Sequence, residues 1–377
     1  MKTKRGLLMS CNATTEGTFR YKIRFKNTLA QEHFREAQRL WISTIGFGSY
    51  LGNHDDATDI KYRDAVIRAV ELGCNKIDTA INYRFQRSER SIGAALEILF
   101  KEGSSSRDEM VIATKGGYIP FDGAPPKDIK TYFIETFVKP GIAQPEDIVG
   151  GSHCMAPSYI ENQLECSLKN LRLQCIDIYY LHNPEEQLGK VSREEFRKRI
   201  GAAFELLERK VSEGKIRMYG TATWNGYRQD KNSVGYLSLE ELANIAKGVA
   251  GENHHFKVIQ LPYNLAMPEV LTVKNQSVDG ELTSVLEAAR RLGVTVIASS
   301  SLLQSQLSSN LPDFIGECLK GFETDAQRAL QFVRSTPGIT TALVGMSNLT
   351  HVKENMKVAQ TPPASVEEFI KLFSDGE

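Results

Sequence analysis

The sequence predicts an α/β fold of the (β/α)8 TIM barrel class, and three observations support this prediction. Eight short apolar runs of β character alternate with eight amphipathic helical patterns along most of the chain. Several helical patterns end on a glycine, as at Gly73, Gly214 and Gly293, and the next strand follows directly. The length of 377 residues fits one large barrel or two ordinary domains. A doubly wound open sheet is the alternative architecture.

The individual elements follow from the spacing of apolar residues and from the turn residues between them. A leader, residues 1–38, contains a candidate hairpin strand over 18–25. The whole chain is predicted to form a single domain, with the barrel at about residues 39–358 and a C-terminal tail over 359–377. The predicted strands are 42–47, 75–79, 110–114, 176–181, 216–221, 257–261, 294–299 and 340–344. The predicted helices are 61–72, 89–100, 159–171, 193–212, 239–249, 281–292, 325–334 and 349–356.

Three connections that follow predicted strand ends are long: residues 116–157, 222–238 and 262–280. In a barrel these connections rim the same mouth, which is where active sites are built. The first is rich in Gly, Pro and Asp, and it contains a helix-compatible stretch over 128–138. We therefore expect substrate specificity to reside in these loops.

The charge balance favours a small molecule as partner. The chain carries 46 Lys and Arg residues against 46 Asp and Glu residues, so its formal net charge is zero. This gives no electrostatic reason to expect a nucleic acid or an anionic membrane surface as partner. The basic start of the chain has too short an apolar run for a signal peptide, and no later run could span a bilayer. A cytoplasmic location is therefore predicted.

The cysteine and histidine spacings predict neither disulfides nor a metal site. None of the six cysteines forms a CxxC pair, and a cytosolic chain of this size needs no disulfide. His153 and the pair His254 and His255 lack ligand spacing with any cluster of carboxylates or cysteines. We expect these side chains to be structural.

Four residues that could transfer or steer a proton lie at the ends of three successive predicted strands. Asp78 ends one strand and Tyr83 lies in the loop after it, while Lys115 and His182 end the next two strands. Parallel strands of a barrel end at one rim, so we expect these side chains to meet there. A phenol has an ordinary pKa of ~10, which an adjacent ammonium lowers, and a nearby carboxylate keeps that ammonium charged.

This constellation suits the reduction of a carbonyl group. Tyr83 would donate a proton to the carbonyl oxygen, and His182 would orient that oxygen by a hydrogen bond. The hydride must come from a cofactor, because no side chain supplies one. The same residues leave a second chemistry open, in which Lys115 forms a Schiff base with the substrate in an aldolase-like barrel.

The motifs that carry these residues resemble those of the aldo-keto reductase family, over about residues 39–355. The resemblance rests on residues 43–52, 78–83, 180–184, 213–217, 345–348 and 352–355, and on Lys115. It implies a barrel that uses NADPH, with Asp78, Tyr83, Lys115 and His182 as the catalytic tetrad.

The resemblance also implies positions that bind the cofactor. Gly48, Ser49 and Tyr50 match the loop that lines the nicotinamide, and Gln260 matches the residue that binds its carboxamide. The other implied positions are Asp78, Ala222, Thr223, Ser299, Ser300, Leu302, Gln304, Met346, Ser347, Asn348, His351, Glu354 and Asn355.

Several positions depart from the family pattern and bear on the cofactor. Ser299 stands where many members carry an aromatic residue that stacks on the nicotinamide, and Ala222 and Thr223 stand where relatives often have Ser and Asn. Gly345 and His351 replace the Lys and Arg that hold the 2′-phosphate in many members. A neutral His offers less to a phosphate than an Arg fork. NADPH is the implied cofactor, and NAD is the alternative.

Two classes of function follow from these residues. The first is NAD(P)H-dependent reduction of an aldehyde or ketone, with Tyr50, Tyr118 and Trp224 as candidate substrate contacts. Trp224 could instead simply close the barrel mouth. The second class is a nucleotide-binding regulatory or interaction subunit with little turnover, as reductase-like channel subunits are. The intact tetrad favours the reductase, whereas the physiological substrate and the oligomeric state are not predicted.

Overall fold

The computed structural model describes residues 11–374, and a closed barrel of eight parallel strands forms its centre. The strands in chain order are β1 (Phe34–Ala37), β2 (Leu40–Ser43), β3 (Ile45–Gly48), β4 (Lys76–Asp78), β5 (Val111–Gly116), β6 (Ile176–His182), β7 (Ile216–Ala222), β8 (Phe256–Pro262), β9 (Lys274–Val278), β10 (Glu281–Ser284), β11 (Thr295–Ser299) and β12 (Ile339–Gly345). The barrel order is β3, β4, β5, β6, β7, β8, β11 and β12, and β12 pairs with β3. The predicted (β/α)8 barrel is therefore confirmed.

The helices pack around the barrel and against one another. In chain order the α-helices are α1 (Thr15–Arg24), α2 (Asp56–Glu71), α3 (Arg87–Lys101), α4 (Ile129–Phe133), α5 (Pro157–Leu171), α6 (Arg193–Ser212), α7 (Leu239–Ala250), α8 (Glu269–Thr272), α9 (Val285–Arg291), α10 (Asp313–Cys318), α11 (Asp325–Ser335), α12 (Leu349–Lys357) and α13 (Val366–Ser374). No helix within residues 11–374 combines the length and the apolar character that a membrane crossing requires.

The strand predicted over 18–25 is wrong, because α1 occupies this segment. The Thr14 side chain caps the helix by accepting a hydrogen bond from the Gly17 amide at 2.9 Å. Gly17, Thr18 and Tyr21 are buried at helical spacing. Residues 1–10 of the predicted leader and 375–377 of the predicted tail lie outside the described residues.

A hairpin does precede the barrel, but it consists of β1 and β2. Its turn residues Gln38 and Arg39 both have left-handed backbone conformations, with φ of 50° and 63°. Two such residues match the twist of a tight hairpin. The strand predicted over 42–47 is consequently two strands: β2 ends the hairpin at Ser43, and β3 begins the barrel at Ile45.

The helix predicted over 281–292 begins too early. Residues 281–284 form β10, which pairs with β9 through a turn at Asp279 and Gly280, with φ of 52° and 81°. Asp-Gly is a typical sequence for such a turn. The helix α9 starts only after Ser284, whose side chain accepts a hydrogen bond from the Glu287 amide.

The connection from β5 to α5 contains the predicted helical stretch. Asp128 caps α4 through the amides of Lys130 and Thr131, and a π-helical turn at Ile134–Val138 continues it. This connection returns to the barrel mouth at His153, which pairs with Tyr118 in an isolated β-bridge. It therefore covers the C-terminal ends of β5 and β6, where two predicted catalytic residues lie.

Candidate active site

Lys115 is the centre of a hydrogen-bond cluster at the C-terminal ends of β4 and β5. Its ammonium donates to Asp78 Oδ1 at 2.5 Å, to the Thr79 carbonyl oxygen at 2.8 Å and to the Tyr83 hydroxyl at 3.4 Å. These three bonds use all three donors of a lysine ammonium. Lys115 and Asp78 are almost completely buried. The fold thus brings together three of the four predicted catalytic residues.

Desolvation and neighbouring charges set the protonation states in this cluster. Desolvation lowers the pKa of Lys115, but Asp78 and Tyr83 together raise it further, so this pKa lies above its ordinary value. Desolvation raises the pKa of Tyr83, and the Lys115 ammonium offsets only part of that effect. The net shift for Tyr83 is upward, whereas the residue types alone predicted a lowered pKa. The phenol therefore keeps its proton at neutral pH.

The second carboxylate oxygen of Asp78 has two further partners. Gln260, on β8 across the barrel, donates to Asp78 Oδ2 at 2.7 Å. The ammonium of Lys76, which lies two residues before Asp78 on β4, is 3.5 Å from the same oxygen. Burial lowers the pKa of Lys76 to about 8, although Asp78 acts in the opposite direction. The carboxylate is thus shared between two lysines, and Lys115 has the shorter contact.

His182, at the end of β6, places its imidazole ring next to the Tyr83 phenol. The centroids of these two rings are 5.8 Å apart and their planes are nearly perpendicular, and the centroid of the Tyr118 ring lies 5.0 Å from that of His182. Desolvation lowers the pKa of His182 well below its ordinary value, and the Lys115 ammonium adds to this. A neutral imidazole next to the phenol can therefore hydrogen-bond a carbonyl oxygen.

A cavity of about 490 Å³ lies over these residues at the barrel mouth. Many of the predicted site residues line it: Gly48, Ser49, Tyr50, Asp78, Tyr83, Tyr118, His182, Ala222, Thr223, Trp224, Gln260, Ser299, Ser300, Leu302 and Gln304. Lys115 is not part of the lining, because it lies behind Asp78 and Tyr83. The cavity therefore unites the predicted catalytic, substrate and nicotinamide positions at one mouth.

The sequence reasoning missed several lining residues. These are Leu51, Asn82, Asn183, Ser301, Ser305, Leu343, Val344 and Gly345. From the sequence, Gly345 is identified only as the replacement of a basic residue that binds the 2′-phosphate in many members of the family. Asn82 and Asn183 directly adjoin predicted catalytic residues, and Ser301 and Ser305 directly adjoin predicted cofactor positions. Adjacency in sequence would therefore have identified most of them.

The positions predicted for the adenosine end lie beyond the lining of this cavity. Met346 and Asn355 are buried, and Asn348 caps α12 by accepting a hydrogen bond from the Thr350 amide. The Glu354 carboxylate accepts a 2.6 Å hydrogen bond from the Thr324 hydroxyl. Ser347 and His351 lie at the N-terminal end of α12, beside the cap residue Asn348. The chain passes from the cavity to this group directly, because Gly345 belongs to the lining.

Behind His182, the long connection after β5 contributes a buried histidine. His153 bonds the His182 carbonyl oxygen through Nε2 at 2.7 Å, and the Gln187 amide nitrogen lies 3.0 Å from His153 Nδ1. Gln187 accepts from Arg199 with its oxygen, so its nitrogen donates and His153 Nε2 carries the proton. Burial lowers the pKa of His153 to about 4, which keeps this ring neutral.

The outer wall of the cavity consists of exposed apolar and aromatic side chains. Tyr50, Leu51 and Trp224 are 56%, 46% and 39% exposed. Glu185 fixes the loop that carries Trp224, because one of its carboxylate oxygens accepts hydrogen bonds from the amide of Trp224 at 2.7 Å and from the amides of the next two residues.

Within residues 11–374, no group of three or more His, Cys, Asp or Glu residues is placed to hold a metal ion.

Comparison with known proteins identifies the family. The model of the aldo/keto reductase family matches residues 44–313 of this chain. The match covers most of the chain, so the protein belongs to the aldo/keto reductase family, which consists of NAD(P)-dependent oxidoreductases.

Among named relatives, the "Putative voltage-gated potassium channel subunit beta" of Schizosaccharomyces pombe is 24% identical over 348 residues, covering 89% of this chain and 90% of the relative. The NADP(+) aldo-keto reductase yakc of the same organism is 30% identical over 184 residues, which cover 48% of this chain and 42% of the relative. The chain is thus similar both to a reductase and to a channel subunit.

Solved structures of reductases share the fold. An aldo/keto reductase from Klebsiella pneumoniae in complex with NADP and acetate superimposes with a TM-score of 0.61 and 21% identity, covering 91% of this chain and 94% of its own. The holo form of an aldo-keto reductase from Bacillus halodurans gives a TM-score of 0.62 and 20% identity, with the same coverage. At these identities the likeness concerns the barrel alone.

Proposed function

We propose that this protein reduces an aldehyde or ketone to an alcohol, with NADPH as the hydride donor and Tyr83 as the proton donor. The observation that carries the proposal is the position of the Tyr83 hydroxyl, which lies 3.4 Å from the Lys115 ammonium in a residue that lines the cavity. Membership of the aldo/keto reductase family supports the same assignment.

Each residue of the cluster has one role in this reaction. Tyr83 gives its hydroxyl proton to the carbonyl oxygen, and the Lys115 ammonium stabilises the phenolate that remains. Asp78 keeps Lys115 charged and fixes its position through the 2.5 Å bond. His182 donates a hydrogen bond from its neutral ring and holds the carbonyl oxygen near the phenol. The nicotinamide, when bound, supplies the hydride to the carbonyl carbon.

The inner part of the cavity offers groups that fit a nicotinamide nucleotide. Thr223 and Ser301 line it, and the hydroxyl oxygens of both are buried without a partner among the described residues. Buried polar atoms of this kind are normally satisfied, so a ligand that bonds them completes the site. We assign Gln260 and Thr223 to the carboxamide, and Ser300, Ser301 and the loop to Gln304 to the pyrophosphate.

The adenosine moiety would extend from the cavity past Gly345 to the first turns of α12. Ser347, Asn348 and His351 would then approach the ribose and its 2′-phosphate, with Asn355 and Glu354 near the adenine. We propose NADPH as the cofactor and NADH as the alternative. Titration of the pure protein with each nucleotide, followed by fluorescence or melting temperature, measures the preference directly.

The catalytic assignment is tested by a Tyr83→Phe variant. Wild type and variant are mixed with a panel of aldehydes and ketones, and the loss of nicotinamide absorbance is followed with NADPH and, separately, with NADH. We expect the variant to lose about 10²-fold or more of the rate, because the general acid is removed, while nucleotide affinity stays close to wild type. Tyr132→Phe is the matched control, since the Tyr132 hydroxyl bonds the Pro120 carbonyl outside the cavity lining.

A Tyr83→Phe variant that retains most of its rate would contradict the assignment. Trapping with borohydride tests the remaining alternative for the same cavity, in which Lys115 forms a Schiff base. Covalent attachment of a carbonyl compound to Lys115 would favour the aldolase-like chemistry, and its absence together with nicotinamide oxidation would favour reduction.

The second candidate function is that of a nucleotide-binding subunit with little turnover. It is favoured by the likeness to the S. pombe protein named as a potassium channel subunit, which extends over 89% of this chain. The substrate panel distinguishes the two functions. Tight nucleotide binding without oxidation by any carbonyl compound would favour the subunit, whereas turnover that depends on Tyr83 would favour the reductase.

A further inference from the structure

Directly after Tyr83, three consecutive residues other than glycine adopt left-handed backbone conformations. Their φ angles are 48° at Arg84, 57° at Phe85 and 69° at Gln86, and α3 starts at the next residue. This conformation is unfavourable for residues with a Cβ atom, and it rarely occurs in a run. Such strain persists only where surrounding contacts enforce it. The contacts of these side chains therefore determine the path of the chain behind Tyr83.

Arg84 makes the most extensive of these contacts. Its Nε donates to the Asn53 carbonyl oxygen at 2.7 Å, and its Nη2 donates to Asp59 Oδ1 at 2.6 Å. The guanidinium carbon lies 4.9 Å from the centre of the Tyr62 ring, and the side chain is only 1% exposed. Arg84 thus ties the turn to α2 and to the loop between β3 and α2, which carries Tyr50 on the cavity wall.

The other two residues fix the opposite side of the turn. The Phe85 ring packs against Phe121, and the Phe85 carbonyl oxygen accepts a hydrogen bond from the Gly123 amide at 2.9 Å. Gln86 donates to the Phe121 carbonyl oxygen at 3.1 Å and accepts from the Asn170 amide at 3.1 Å. Two loops at the barrel mouth, the short one after β3 and the long one after β5, therefore meet at this turn.

We propose that Arg84 is a positioning residue for Tyr83, an inference that rests on the proposed reductase function. The hydrogen bonds of Arg84 to Asn53 and Asp59, which we call the clamp, hold the turn in its left-handed conformation. The turn in this conformation fixes the backbone of Tyr83 so that its hydroxyl contacts the Lys115 ammonium. Without the clamp, the turn relaxes toward the right-handed conformations that arginine, phenylalanine and glutamine prefer. The phenol then moves away from Lys115.

The test compares Arg84→Gln with Arg87→Gln. Both variants remove a buried or half-buried arginine that bonds Asp59, but Arg87 lies in the right-handed helix α3 and makes its second ion pair with Asp56 at the surface. We expect Arg84→Gln to lower kcat about 10- to 100-fold, because misplacement of a reacting group by about 1 Å has effects of that size. The nucleotide Kd and the KM should change little, and Arg87→Gln should stay close to wild type.

Two further variants separate positioning from simple loss of stability. Arg84→Lys keeps one hydrogen bond of the clamp and should recover part of kcat. Arg84→Gly removes the clamp and relieves the backbone strain at position 84 only, so it should melt no lower than Arg84→Gln, while the strain left at Phe85 and Gln86 still opens the turn and keeps kcat low. Should Arg84→Gln fail to fold, these two variants still test the proposal. A wild-type kcat in Arg84→Gly, or an equal loss in the Arg84 and Arg87 glutamine variants, would overturn it.

Crystal structures of the wild type and the same variants give a readout that does not depend on turnover. We expect the distance from the Tyr83 hydroxyl to the Lys115 ammonium, 3.4 Å here, to lengthen when Arg84 is replaced and to stay the same when Arg87 is replaced. An unchanged turn and distance in the Arg84 variants would refute the positioning role, even if the wild type proved to reduce no carbonyl compound. Wild-type inactivity with a lengthened distance would instead refute only the reductase function.

Discussion

Replacement of Lys76 by methionine tests how the cluster around Asp78 balances its charges. The Lys76 ammonium is completely buried, lies 3.5 Å from Asp78 Oδ2, and has one long hydrogen bond of 3.4 Å, to the Ile77 carbonyl oxygen. Lys115 bonds the other oxygen of the same carboxylate at 2.5 Å. We expect Lys76→Met to increase stability at neutral pH, since the neutral side chain has a similar length and loses only weak contacts.

The size of the effect follows from the pKa of Lys76. Burial lowers it from 10.5 to about 8, a difference of ~2.5 pH units or ~3 kcal/mol. Because the folded pKa lies below the unfolded one, the cost is fully present below pH 8 and is lost as the pH rises from about 8 to 10.5. At pH 7 the variant should therefore gain about 1–3 kcal/mol in free energy of unfolding, and this gain should disappear at higher pH.

The assay is urea unfolding of wild type and variant across this pH range, with circular dichroism as the signal. Lys115→Met is the matched control, because it removes the lysine with the shorter contact to Asp78 and leaves the Oδ1 of that carboxylate without its donor, so it should destabilise the protein by about 3–5 kcal/mol. A Lys76→Met variant as unstable as Lys115→Met at pH 7 would refute the reasoning. So would a stability difference from wild type that does not change between pH 7 and the alkaline end of the range.

The remaining predictions concern packing behind the site and within the barrel. His153→Leu should lower the free energy of unfolding by about 2 kcal/mol, and the melting temperature with it, because the His182 carbonyl oxygen loses its hydrogen-bond donor. A melting temperature equal to that of the wild type would contradict this. Gly220→Ala should cost about 3 kcal/mol or more in urea unfolding, since a Cβ atom there would lie 1.6 Å from the Val258 carbonyl oxygen. Gly248→Ala, with no atom within 4 Å of its added Cβ, should instead be neutral or slightly stabilising.

The cluster around Lys115 could be predicted because barrel topology converts order along the chain into proximity. Asp78 and Lys115 end neighbouring strands, β4 and β5, and Lys115 lies in register with Tyr180, two residues before His182 on β6. Once the strands are assigned, the side chains at their ends need no further information to meet at one mouth.

The N-terminal helix could not be assigned because its stability depends on distant partners. Arg20 of α1 bonds Asp108 and Glu109, and Arg24 bonds Glu109 again. The segment therefore docks against residues more than 80 positions away in the sequence. The hydrophobic periodicity of a ten-residue segment is a weak signal, and Thr14, a residue type that commonly caps helices, is the one local indication of a helix start.

The turn after Tyr83 escapes sequence reasoning for a different reason. Glycine or asparagine normally announces a left-handed turn, but here the positions are Arg84, Phe85 and Gln86. Their conformation is enforced by tertiary contacts of Arg84 with Asn53 and Asp59, which a local pattern does not contain.

The direction of the pKa shift of Tyr83 connects the geometry to the direction of the reaction. Residue types alone predicted a lowered pKa, because they reveal the Lys115 ammonium but not the degree of burial. In the folded protein, desolvation exceeds the effect of the ammonium, and the pKa of Tyr83 is raised. Reduction needs a phenol that carries a proton, whereas oxidation of an alcohol needs the phenolate as base. Under the proposed function, the resting site therefore holds the protonated phenol that reduction uses at neutral pH, and the rate of oxidation of the corresponding alcohol should rise with pH.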